Sequence, residues 1–370
     1  MKKFFVCAAA LCLVLMLCGF DFDDTVEKQL AAAERGGVSD ALPESAAEIL
    51  KSLGVEEISA QSLSEISFGD AVRLVGESIK ERIRAPFLSV ISVCAAGILC
   101  SVINNFGSGE MKTVYSAVCT LAAAAAVIIP VKNVLSSGAR VITECSDFML
   151  GFIPVYSSVI AASGGVSSAA GYRTLMLGAS TAVARLAGNI IVPLMCVYLA
   201  LCAAGTVAPI GIDSIAKGVK SFAVWVMSAS AALFSGIMGV GSIVSSSADG
   251  AGAKAVKFVV GSAVPVVGGT VSDALAAAKS CLIMARNVLG AYAIVAAAVI
   301  FIPPVISAFA WKICLSLGAG ASDMLDNKPL SSLLSASSAV MGIMLAMVLL
   351  TAITFIFSVT IMIIAGGAAV

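Results

Sequence analysis

Arg173, Arg185 and Asn189 are the polar side chains of an otherwise small or apolar stretch, GYRTLMLGASTAVARLAGNIIVPLM, at residues 171–195. A guanidinium close to hydrocarbon must find a carboxylate, a carbonyl or water. At helical spacing Arg173, Leu177, Ser180, Thr181, Ala184, Arg185 and Gly188 fall along one stripe, polar or small at nearly every step. Small residues let intramembrane helices approach closely, so this helix is expected to face protein and to run unbroken into an apolar span. Two roles stay open for Arg173, Arg185 and Asn189: a buried polar line that braces helix contacts, or the lining of a passage. Asp147, Asp273 and Asp323 are the candidate counter-charges at membrane edges.

Other chemistry finds little support. The chain has no histidine, which removes the imidazole base, shuttle and metal ligand. No nucleophile, base and orienter can be assembled without it, and no enzymatic activity is expected. The eleven cysteines offer no C-x-x-C pair; most stand in apolar stretches as small hydrophobes. There is no phosphate-loop lysine and no dense basic patch, so the sequence points to no cofactor, no metal and no nucleic acid.

The elements that would position these residues are set by composition. Of 370 residues, 60% are hydrophobic and 12% charged, and the mean hydropathy is +1.06, which predicts an all-α polytopic membrane protein. The net charge of zero hides an asymmetry: residues 21–85 hold 14 acidic and 7 basic residues, whereas residues 86–370 hold 8 and 13. Residues 1–19, with Lys2 and Lys3 before an apolar run, read as a signal peptide. Residues 20–85 then form an acidic, helical, extracytoplasmic region, and residues 86–370 the membrane domain.

Six to eight membrane segments are expected in that domain, some broken or re-entrant. Residues 87–105 and 113–131 are long enough to span, and Lys132, Asn133, Arg140, Glu144 and Asp147 read as the polar connection after them. Residues 148–162 are short and either cross or dip and return. Residues 148–247 are echoed by 258–366: Pro154 and Gly164-Gly165 by Pro265 and Gly268-Gly269, then Pro193 by Pro303-Pro304. These prolines and glycines are the candidate hinges or kinks. An internal duplication and a chance likeness of small-residue segments both account for the echo; a true repeat with interrupted helices would point to a central pathway. Charge does not orient the chain, because the short loops on the two sides collect seven and six basic residues.

The stretches Phe152-Ile153-Pro154-Val155, Gly171-Tyr172-Arg173-Thr174-Leu175-Met176-Leu177-Gly178, Ala184-Arg185 with Gly188-Asn189, and Val264-Pro265-Val266-Val267-Gly268-Gly269 resemble, in order and spacing, the stage III sporulation protein AE family. So does the connector from Asp323 to Pro329. The likeness covers residues 26–370. It implies a subunit of a multiprotein channel with secretion-system-like parts in the mother-cell membrane around the forespore. The implied partners are other stage III channel proteins, a separate ATPase and a forespore-membrane protein across the intermembrane space. The implied role is to sustain forespore development and late forespore gene expression. Without that resemblance, the broken segments would also suit a stand-alone secondary transporter of a small solute.

Overall fold

The structure is a computed structural model that describes residues 42–55, 68–106, 110–162, 166–207, 212, 214–236, 268–325 and 327–365. The expected signal peptide, Gly164, Gly165 and Pro265 lie outside the described residues, as does much of the acidic region.

Every described element is helical. Helix α1, Glu44–Ser52, carries Glu44 in its first turn and Lys51 in its last, each sign matched to the helix dipole. It stops at Gly54, whose φ of +80° suits a residue without a Cβ. The amides of Gly54 and Val55 bond back to the carbonyls of Lys51 and Leu50, and Val55 and Leu50 are both buried, closing a Schellman motif. Helix α2, Phe68–Phe106, joins the amphipathic arm to the expected first span without a break at Pro86.

Helix α3, Glu110–Ala162, runs 53 residues through Pro130 and Pro154, about 80 Å at 1.5 Å per residue. This corrects the expected polar connection: Lys132, Asn133, Arg140 and Asp147 sit on exposed positions of a continuous helix. On its other side Val131, Leu135, Ile142, Cys145 and Phe148 are buried. Charges gathered on one face leave the helix intact, because the apolar face still has a core to bury. Residues 148–162 therefore continue α3 and do not turn back within the membrane.

Helix α4, Val166–Leu186, passes through one wide turn, Ala187–Ile191, into α5, Val192–Val207. The Val192 amide bonds to the Ala187 carbonyl, five residues back. Pro193 has no amide hydrogen and its ring crowds the preceding turn; a widened turn over Gly188 accommodates it. Helix α6, Ser214–Gly236, follows. Helix α7, Gly268–Met324, is 57 residues long and continues through Pro303 and Pro304, and α8, Lys328–Ala365, folds back along it. Asn327 makes that reversal: its Oδ1 accepts the Leu330 amide at 3.3 Å and its own amide bonds to the Ser322 carbonyl at 3.0 Å.

Five helical stretches among the described residues are long and apolar enough to cross a membrane: Leu121–Ala162, Ala169–Thr206, Ser214–Gly236, Arg286–Met324 and Lys328–Thr360. The α7–α8 pair forms the most extensive interface, with α3 against both and α4–α5 against α3 and α8. Close approach is set by glycine at particular points. A Cβ on Gly318 would stand 2.6 Å from Val90 Cγ1, so α2 and α7 touch there. Ser338 Oγ also donates to the Lys312 carbonyl at 3.0 Å, tying α8 to α7 where few polar groups exist.

Candidate functional site

Among the described residues one buried side chain is charged, Arg286, and an aromatic ladder leads towards it. Phe148, Phe152 and Tyr156 recur every four residues on α3 and stack along it, with ring centroids 5.9 and 5.0 Å apart. Phe355 of α8 joins at 6.4 Å from Phe148, and Tyr172 of α4 meets Tyr156 edge-on at 5.5 Å. Each such pair adds roughly 0.5–1.5 kcal/mol beyond the area it buries. The ladder thus fixes where the two tyrosine hydroxyls sit.

Arg286 of α7 lies near Tyr156. It is 1% exposed, the largest fully buried side chain of the described residues, and its charge is within electrostatic reach of Tyr156. Gly290, one turn further on, brings α7 close enough that a Cβ there would lie 3.2 Å from the Tyr156 hydroxyl and 2.6 Å from Ile363 Cδ1. Arg286 Nη2 donates to the Ile363 carbonyl at 3.4 Å. That carbonyl lies in the last turn of α8, where helix carbonyls lack amide partners and the dipole favours a cation.

One long hydrogen bond does not satisfy a guanidinium with five N–H groups. Nε and Nη1 of Arg286 and the hydroxyls of Tyr156 and Tyr172 are buried with no hydrogen-bond partner among the described residues. An unmet buried donor costs about 1–3 kcal/mol, more when charged. Four such atoms, on Arg286, on Tyr156 near it and on Tyr172 packed against Tyr156, make a donor-rich, positively charged cluster.

Arg173 and Arg185 are half-buried on α4 and each has a partner; Asn189, in the wide turn, is exposed. Leu177 and Thr181 of the expected stripe are buried, with Ala169, Tyr172 and Met176 beside them and Leu186, Ala187, Ile191 and Met195 further on. Asp147 and Asp323 are exposed. Among the candidate hinges, Pro154, Pro303 and Pro304 stand inside continuous helices, Pro193 follows the wide turn, and Gly268-Gly269 open α7. Pro303 and Pro304 also line a cleft of about 270 Å³ between α3 and α7, bordered by Ala46 and Ile49 of α1, Arg82 and Glu144.

Arg286 was not among the expected site residues; the signal that marks it in the sequence is the run of uncharged residues that follows it, from Asn287 to Trp311. A cation at the head of such a run must be served by its neighbours.

Five membrane-capable helical stretches and no strand among the described residues define a polytopic helical membrane protein. The family model for stage III sporulation protein AE matches residues 54–366, and the chain belongs to that family. Stage III sporulation protein AE of Bacillus subtilis (strain 168) is 24% identical over 227 residues, 61% of this chain and 57% of that relative. The matched part is thus little more than half of the relative's length. No solved structure matches the chain.

Proposed function

We propose that this chain is a non-enzymatic membrane subunit of the complex that links mother cell and forespore, needed for forespore development and late forespore gene expression. The observation that carries this reading is the family match from residue 54 to 366, which takes in all five membrane-capable stretches. In this reading the protein sits in the mother-cell-derived membrane around the forespore and works with other stage III proteins, a separate ATPase and a forespore-membrane partner. Arg173, Arg185 and Asn189 brace contacts or line a passage; the exposure of Asn189 suits a partner helix better than a lone chain, because an amide facing lipid finds no hydrogen bond. The echo between residues 148–247 and 258–366 remains a proposed duplication.

The test is affinity purification of the tagged chain from sporulating cells in mild detergent. Co-purification of other stage III membrane proteins is the expected result. A chain that purifies alone and is stabilised by one small solute would replace this reading with that of a stand-alone transporter.

A further inference from the structure

We infer that Arg286, Tyr156 and Tyr172 form a binding site for a phosphate-type oxyanion at one end of the helix bundle. Three features carry this. The side chains are 1%, 0% and 2% exposed, so water at the protein surface does not serve them. Their free groups are all donors in function: Nε and Nη1 of Arg286, and two hydroxyls without partners. Each of those nitrogens forms a fork with Nη2, which holds the Ile363 carbonyl at a long 3.4 Å and keeps a second hydrogen. Guanidinium forks match the oxygens of a phosphate, and tyrosine hydroxyls supply further donors beside them.

Position narrows the class of ligand. Tyr156 lies six residues before the end of α3, Tyr172 six residues after the start of α4 and Ile363 in the last turn of α8, so three helix ends come together here, while α7 runs on for 18 residues before Arg286. Arginine and tyrosine between helices near their ends are the residues that hold lipid phosphates. A free phosphate presents the same oxygens, so the shared chemistry is the phosphate group. Capping α8 explains one of the arginine's bonds and leaves the remaining donors unused. The inference stands whether or not the sporulation reading holds.

The experiment uses the purified full chain in a neutral detergent and reads its melting temperature. One arm compares sodium phosphate with sodium chloride at matched ionic strength. The other compares micelles doped with phosphatidylglycerol against undoped micelles of the same phosphorus-free neutral detergent in phosphate-free buffer. A rise of about 2 °C or more is expected in at least one arm, since a ligand well above its dissociation constant stabilises the form that binds it. A rise with phosphatidylglycerol alone assigns the site to an anionic lipid, and a rise with phosphate assigns it to the free ion. In Arg286→Gln and in the double variant Tyr156→Phe/Tyr172→Phe the rise is expected to fall by at least half. The tyrosine variant keeps the charge and both rings, and so reports even if Arg286→Gln does not fold. No rise in either arm, or the same rise in the double variant, overturns the proposal and leaves the donors with water alone.

Discussion

Arg286 and the two tyrosines are held by packing rather than by polar pairing, and this has a consequence for stability. In Tyr156→Phe the ring stack with Phe152 and the edge contact with Tyr172 persist, while one unpartnered hydroxyl is lost. Thermal unfolding without phosphate or anionic lipid should therefore change by less than about 1 kcal/mol. A loss of more than twice that would mean that the hydroxyl already has a bonded partner. Arg185 is a different test: it is half-buried beside the wide turn and already partnered. Arg185→Ala should lower spore yield under the bracing role, and normal assembly with normal sporulation would remove it from the account. Arg173 and Arg185 stood out in the sequence because they interrupt a small-residue helix. That both are only half-buried was not legible, because a stripe drawn by spacing alone does not say which neighbour it meets.

The helices were legible as apolar runs, but their full length was not: Pro130 and the candidate kinks Pro154, Pro303 and Pro304 each lie inside a helix that continues past them. Neighbouring helices and widened turns re-satisfy the carbonyl that a proline leaves free in a membrane protein, and that compensation is tertiary. Glycines separate the two effects cleanly. In Gly318→Ala the new methyl meets Val90 Cγ1 at 2.6 Å, and valine on a helix has one strongly preferred rotamer with which to yield. A loss of about 1–3 kcal/mol is expected. Gly320 is exposed with nothing within 4 Å of a built Cβ, so Gly320→Ala should be neutral or stabilise by up to about 1 kcal/mol. Equal melting temperatures for the two variants would contradict the close α2–α7 contact.

At the scale of the molecule, composition and hydropathy were enough to establish an all-helical membrane chain, since a mean hydropathy of +1.06 leaves no soluble alternative. What could not be read was the length of the rods. Helices of 53 and 57 residues exceed by far the ~20 residues that cross hydrocarbon, because charges confined to one face do not interrupt an apolar side. Rods of that length exceed the hydrocarbon thickness of one bilayer, which fits the proposed role in a complex between mother cell and forespore. The most direct test of that role is deletion of the gene in the native spore former, with time-lapse imaging of forespore size and a late forespore reporter. Forespores that are engulfed normally, then shrink and leave the reporter silent, are the predicted outcome; healthy spores with a bright reporter would contradict it.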